Sequence, residues 1–308
     1  MLVRSVSDQR RHGVAMSWRL IAASSFLVAM TAAEPAAAAG PPLFLYGSSG
    51  GGLLFRLNTT TGAGTFFGVL PSLDGAGPGA TEIECDPNST PSNPVCYVQF
   101  PDGASAIQPF TPAGTASGPV GDGASFTGLE YVGTTLYGTA ITHGSGPSTL
   151  RTLDPTTGVS VIIGLTGVGP ISGLAYDTTT TTMYGIGGGP GPAALYTIDL
   201  TTGVATVVGN TGLQAGSLQF GPDGLLYAGT TSQATGGNLF RINKSTGHAT
   251  LVGPTGFDSV TGLTVAPMLL LNQQELPVLS WYGSWLVIVS LLIVAARSVS
   301  PHGLRRLS

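Results

Sequence analysis

Leu195-Tyr196-Thr197-Ile198-Asp199-Leu200-Thr201-Thr202-Gly203-Val204-Ala205-Thr206-Val207-Val208-Gly209 reads as a strand, a turn and a second strand. Branched and aromatic residues lead up to Asp199 and run on again after Gly203, the composition of paired β-strands. The Asp carboxylate can accept turn N–H groups, and the Gly takes the positive φ that closes the hairpin. The same unit appears upstream as Leu153-Asp154-Pro155-Thr156-Thr157-Gly158 and downstream as Ile242-Asn243-Lys244-Ser245-Thr246-Gly247. An earlier copy is Leu57-Asn58-Thr59-Thr60-Thr61-Gly62, and a worn one centres on Gly114. From Gly114 onward the turn glycines lie 44, 45 and 44 residues apart. A period of that size, made only of strands and turns, is the signature of a β-propeller.

Aligned on the turn glycine, four strand positions recur. The first reads small-Gly-Leu-x-aromatic, as in Thr127-Gly128-Leu129-Glu130-Tyr131 and Ser172-Gly173-Leu174-Ala175-Tyr176, with looser copies at Gly216-Ser217-Leu218-Gln219-Phe220 and Thr261-Gly262-Leu263-Thr264-Val265. Glu82-Ile83-Glu84 is its degenerate member. The second strand centres on Tyr46, Tyr97, Tyr137, Tyr184 or Tyr227. The third enters the Asp/Asn turn and the fourth leaves it, both with the alternation of half-buried strands. The ring begins at Leu43 with a second-type strand and ends with a first-type strand. The last strand is therefore expected to complete the first sheet and remove an open edge. This predicts an all-β domain over residues 40–267, a five-bladed β-propeller of four-stranded blades with 1+3 closure. A sixth blade would need the stretch from Pro71 to Phe110 to hold more than one.

The repeat resembles the Leu-x-x-Ile-Asp-x-x-Thr-Gly blades of quinoprotein-like and other bacterial propellers. That resemblance implies the fold over the whole ring. Enzymes and pure binders share it, so it implies no activity.

Propeller channels are lined by the first strand of each blade. The position after the Leu there is Glu84, Glu130, Ala175, Gln219 or Thr264, with Glu82 nearby. These positions alternate with apolar ones and should share the channel face. Carboxylates, an amide and a hydroxyl are all oxygen donors, so the ring is a candidate cation site whose ion would be Ca²⁺. The plainer expectation is a set of solvated polar groups lining a wet channel. No other motif calls for a cofactor. His143 and His248 have no partner for a nucleophilic triad. Gly47 to Gly52 lacks the Lys and helix of a phosphate loop, and Pro190 interrupts a dinucleotide-like glycine run.

The ends place the ring in the cell. Arg4, Arg10, Arg11 and Arg19 precede an uncharged run from Leu20 to Ala33, and an alanine tract ends at Ala39. This is the order of a secretory signal peptide, residues 1–39, cleaved after Ala37-x-Ala39; Met16 is an alternative start. Residues 268–275 form a linker. Residues 276–296 carry no charge and are long enough, as a transmembrane helix, to cross a bilayer. Arg297, Arg305 and Arg306 in the basic end, residues 297–308, put that end in the cytoplasm by the positive-inside bias. Cys85 and Cys96 are expected to form a disulfide in an oxidising space, since no further Cys or His stands near them for zinc.

The tail resembles the IPTL-type C-terminal sorting signals of Gram-negative surface proteins through Leu276, Pro277, Val278, Leu279, Ser280 and Gly283, an apolar span and a basic end. Leu276 and Val278 stand where that motif has Ile and Thr. The resemblance covers about the last 35 residues and implies handling by a membrane sorting protease.

Between Leu43 and Pro267 four basic residues (Arg56, Arg151, Arg241, Lys244) stand against twelve acidic ones, a net charge of −8. That sign excludes a nucleic-acid partner. The expectation is an exported, membrane-sorted propeller of the cell envelope that binds a protein or glycan. The alternative is a metal-dependent lyase or hydrolase using Glu84 and Glu130.

Overall fold

Nineteen strands follow one another with no helix between them among the described residues of the computed structural model. Those residues are 41–70, 82–99, 107–111, 119–141, 146–187, 193–231 and 236–267. The expected signal peptide, linker and transmembrane tail, and the worn turn at Gly114, lie outside them.

The first sheet contains β1 (Leu43–Ser48), β2 (Leu53–Leu57) and β3 (Gly64–Val69), and takes its fourth strand, β19 (Gly262–Pro267), from the far end of the ring. The second holds β4 (Glu82–Cys85), β5 (Cys96–Gln99) and β6 (Ile107–Phe110), with Val120 bridging Ile107 where a fourth strand would lie. The third holds β7 (Ser125–Val132), β8 (Thr135–Ile141), β9 (Ser148–Leu153) and β10 (Ser160–Leu165). The fourth holds β11 (Ile171–Asp177), β12 (Thr182–Gly187), β13 (Ala193–Ile198) and β14 (Ala205–Leu213). The fifth holds β15 (Ala215–Phe220), β16 (Leu226–Thr230), β17 (Asn238–Ile242) and β18 (Ala249–Pro254).

The innermost strands pack in turn: β19 on β4, β4 on β7, β7 on β11, β11 on β15, and β15 back on β19. The molecule is a closed five-bladed propeller. The expected closure is present: β1 pairs antiparallel with β19, Tyr46 opposite Thr264 and Leu43 opposite Pro267. The stretch from Pro71 to Phe110 contributes one sheet among the described residues, not two.

The core lies between the sheets rather than within any one of them. Leu129, Leu174, Leu218 and Leu263 of the inner strands are all buried, as is Ile83 in β4. Each apolar cluster draws residues from two neighbouring blades: Leu45, Phe55 and Leu263 of the first blade pack with Tyr227 and Leu239 of the fifth. A fully buried Leu contributes roughly 1.5–3 kcal/mol, so every blade depends on its neighbours. Five blades make a tight ring. A Cβ on Gly173 would sit 2.5 Å from the Leu218 nitrogen of the next blade, which explains the Gly in the inner-strand pattern.

The fourth strands depart from simple alternation. A bulge falls between Ile162 and Gly164 in β10, and again beside Gly68, Gly209 and Gly253 in β3, β14 and β18. The extra residue re-aims the strand, so adjacent side chains such as Val161 and Ile162 both remain exposed. The bulge glycines have a second role. Gly164, Gly209 and Gly253 each lie against the Thr-Gly turn of the following blade, with Thr202, Thr246 and Thr61 respectively. Two residues beyond each one, the hydroxyls of Thr166, Thr211 and Thr255 donate to the carbonyls of Ser148, Ala193 and Gly237. The repeat thus docks the third, fourth and fifth blades on the blades that follow them as well as closing its own hairpin.

Candidate functional site

The inner strands bring the five aligned channel positions into one layer. Each pairs with the second-strand Tyr of its own blade: Thr264 with Tyr46, Glu84 with Tyr97, Glu130 with Tyr137, Ala175 with Tyr184, and Gln219 with Tyr227. One step along the strands, Glu82 occupies the position that Gly128, Gly173 and Gly262 hold in other blades.

Within the layer, three of the five side chains serve the backbone of the next blade. The Thr264 hydroxyl accepts the Cys85 N–H at 3.0 Å. Glu84 accepts the Tyr131 N–H, and Glu130 accepts the Tyr176 N–H. Ala175 has no acceptor, so the series stops there, and Gln219 Oε1 accepts its own neighbour's N–H, that of Phe220, at 2.7 Å. Gln219 Nε2 then reaches across the channel. It donates to Glu84 Oε2 at 3.3 Å and to Glu130 Oε2 at 3.1 Å. Thr264 Oγ1 donates to the same Glu84 oxygen at 3.2 Å.

The expectation of solvated groups in a wet channel is corrected. Glu82, Glu84, Glu130, Gln219 and Thr264 are all buried, with Glu82 only 1% exposed. The ring is too tight for these side chains to reach bulk water. Among the described residues no Lys or Arg compensates them. Arg56, Arg151 and Arg241 lie on β2, β9 and β17, away from the inner strands, and Lys244 lies in the turn after β17. Lys244 pairs with Asp177, the one ion pair among the described residues.

The protonation states follow. Burial pushes the Glu130 carboxyl up to about 8. Burial, then the nearby Glu130 charge, holds Glu84 well above the usual carboxylate range. Burial does the same for Glu82, where the N–H groups of Ile83 and Leu263 oppose the shift. Glu82 Oε1 accepts the Ile83 N–H at 3.3 Å. Among the described residues no three Asp, Glu, His or Cys side chains converge as a finished metal cluster. As placed, the Gln219 amide nitrogen stands between Glu84 and Glu130.

The disulfide joins Cys85 of β4 to Cys96 of β5, directly opposite one another and next to Glu84. His248 lies on the outer side, in the hairpin between β17 and β18, and His143 lies outside the described residues. So do the expected sorting motif, Leu276 to Gly283, and the charges at Arg297, Arg305 and Arg306. Among the described residues no helix is long and apolar enough to cross a membrane.

Sequence reasoning missed a groove of about 390 Å³ on the rim where the fifth blade meets the first, lined by Thr59, Thr60, Asp223, Leu225, Arg241 and Leu251. It joins residues nearly the length of the ring apart, and no local motif announces it.

No family model matches the chain, and no curated protein matches it. Among solved structures the chain is similar to one titled a nidogen/laminin complex, at 10% identity and a TM-score of 0.48, over 73% of this chain and 98% of that one. It is similar to a protein from Bacteroides caccae at 11% identity and a TM-score of 0.41, over 68% and 71% of the two chains. TolB from Acinetobacter baumannii follows at 12% identity and 0.37, over 70% and 53%. At such identities and scores these likenesses assign no activity.

Proposed function

We propose that this chain is an exported, membrane-sorted β-propeller that acts as a binding module at the cell envelope, with a protein or glycan as its partner. The observation that carries the reading is the exposure of large apolar side chains along the outermost strands. Val161, Ile162 and Leu165 on β10, Val207 on β14 and Leu251 on β18 are each more than half exposed. Val161, Ile162 and Leu165 share a single strand, clustered apolar surface marks interaction sites, and the outer strands also offer unpaired edges. The channel, by contrast, is filled by buried, mutually bonded side chains. The disulfide supports an oxidising compartment. The signal peptide and the IPTL-like tail supply export and anchoring, with the sorting protease as a further partner. The quinoprotein-like repeat agrees with a bacterial propeller of this type.

The test is an array of glycans and envelope proteins probed with the full-length protein in detergent. Saturable binding that Val161→Asp with Ile162→Asp abolishes supports the reading; silence across the array overturns it. A mature N-terminus at Gly40 would support the export arm, and an intact leader on the envelope-bound protein would overturn it.

A further inference from the structure

We infer that the groove where the fifth blade meets the first is a binding site for an acidic sugar, a pyranose bearing a carboxylate, with Arg241 taking the acid and Asp223 the hydroxyls. The argument begins with the Thr-Gly turns that sit against the blade before them. The residue after the turn Asp or Asn differs from junction to junction. Between the third and fourth blades it is Leu200, which packs in the cluster holding Val132 and Tyr137 of the third blade. Between the fourth and fifth it is Lys244, whose ammonium pairs with Asp177 of the fourth blade. Between the fifth and first it is Thr59, which approaches the Tyr227 hydroxyl and is too short to do more. Where Leu200 and Lys244 plug the earlier junctions, this one holds the groove of about 390 Å³. That volume lies within the range of small-molecule sites, about 300–1,000 Å³.

A second observation is an unpartnered cation. Arg56 lies over the Phe44 ring, Arg151 donates to Thr149 and Ser160, and Lys244 pairs with Asp177. Arg241 is exposed and has no ion pair, hydrogen bond or stacked ring among the described residues. It stands on β17 between Tyr227 of β16 and Thr250 of β18, and lines the groove. Asp223 lines the same groove without pairing with Arg241, and it is fixed in place. Its Oδ1 accepts the Leu225 N–H at 3.1 Å and its Oδ2 the Tyr227 hydroxyl at 2.8 Å. A guanidinium takes a carboxylate in a two-pronged, charge-assisted pair, and an aspartate with lone pairs to spare calls for donors. Asp223 would repel a bare carboxylate, whereas an acidic sugar sets its acid on Arg241 and its hydroxyls on Asp223. The hydroxyls of Thr59, Thr60 and Thr250 both donate and accept, which suits the remaining ring hydroxyls. A free amino acid would meet the two charges and leave these three unused. Leu225 and Leu251, both exposed, offer cover for the apolar face of the ring. A peptide strand fits less well. The open edge of β18 is short, because Thr61 lies against Gly253 and the Gly64 N–H donates to the Thr255 carbonyl at 2.9 Å.

The experiment titrates the full-length protein in detergent with the methyl glycosides of glucuronic, galacturonic and sialic acid, and with the primary amide of each, by calorimetry. At least one acid should bind saturably, and its amide about tenfold or more weaker, the worth of a charge-assisted bond. Arg241→Gln should erase that difference. Thr59→Lys, which gives this junction the plug that Lys244 gives its neighbour, should abolish binding and leave Tm at or above the wild-type value. No binding by any of the acids, equal binding of acid and amide, binding undiminished in either variant, or displacement by equimolar acetate or free alanine would each overturn the inference. Val161→Asp with Ile162→Asp should leave the titration unchanged, so this site and the β10 surface stand or fall separately.

Discussion

Gly164 of the third blade lies under Thr202 of the fourth, so close that a Cβ on the glycine would stand 2.0 Å from the threonine carbonyl oxygen. Gly209 with Thr246, and Gly253 with Thr61, repeat the contact around the ring. The Thr-Gly turn is therefore a tongue and the bulge glycine its seat. Two alanine substitutions isolate the docking term. Gly203 and Gly167 have nearly the same backbone, φ 79° and 74°, so both variants carry the same left-handed strain. A Cβ on Gly203 would meet the Gly164 oxygen at 2.8 Å, whereas one on Gly167 meets nothing within 4 Å. Gly203→Ala should cost about 1–3 kcal/mol more than Gly167→Ala, the usual range for overpacking. Equal midpoints in denaturant titration would show that the tongue does not press on its seat.

Asp199 Oδ1 accepts the N–H groups of Thr201 at 2.7 Å and Thr202 at 2.9 Å. Asn58 and Asn243 do the same work with an amide oxygen in their own turns. Asp199→Asn should accordingly be nearly neutral near pH 7, while Asp199→Ala should lower Tm measurably. The two variants should also differ in acid. The turn N–H groups hold the Asp154 and Asp199 carboxyls below the usual 3.8. Their contribution is present above that value and is lost as pH falls through the lower folded-state value. Asp199→Asn, with nothing to protonate, should be less sensitive to pH in that window than the wild type in thermal melts.

Much of this ring was legible in the chain because its determinants are local and repeated. Asp199 and Gly203 sit four residues apart in one hairpin, and the interval to the next such pair sets the blade. Even the layer of Glu84, Glu130, Ala175, Gln219 and Thr264 follows from a fixed offset after the inner-strand hydrophobe. What those residues do to one another was not legible. Gln219 meets Glu84 across 135 positions of sequence, and the tightness of the ring, which buries them, depends on backbone contact at glycines such as Gly173. The fourth-strand bulges were missed for a related reason: their cause is the turn of the next blade. A signal was present in the recurring Gly-x-Thr-Gly at Gly164, Gly209 and Gly253.

The channel acids set the opposite pH limb from the turn aspartates. Glu82, Glu84 and Glu130 have folded-state values above the unfolded 4.5, so the folded chain holds more protons than the unfolded one between that value and about 8. Stability is then greatest below the unfolded value and falls as pH rises through the window. The protein should lose Tm from pH 5 to pH 8, at about 2–4 °C per kcal/mol for a domain of this size. Glu84→Gln with Glu130→Gln should flatten that limb. A wild-type Tm that is constant or rises over the window would show that the acids are solvated or compensated.

The disulfide closes a short loop, 11 residues in separation, beside Glu84. Loop-closure entropy assigns such a link up to about 3 kcal/mol. Cys85→Ala with Cys96→Ala should therefore lower the denaturation midpoint clearly, and reductant should reproduce the loss in the wild type. Protein from the envelope should show no free thiol before reduction. Full labelling of both cysteines in the native protein would contradict the bond.

Closure makes a last demand on cooperativity. Leu263 of β19 is buried between the fifth and first blades, and Leu174 of β11 is buried between the third and fourth. In an open repeat array, stability is a sum of neighbour terms and the end repeats loosen first. There, Leu263→Ala would fray the ends and leave the middle standing. In a closed ring no blade is terminal, and because each cluster is shared between two sheets, loss at either place is felt by all. Leu263→Ala and Leu174→Ala should each cost about 2–5 kcal/mol and still unfold in one transition. That transition should coincide when followed by strand circular dichroism and by the tyrosine signal from every blade. Separate transitions in Leu263→Ala alone would mean that the β1–β19 latch opens independently and that the five sheets do not fold as one unit.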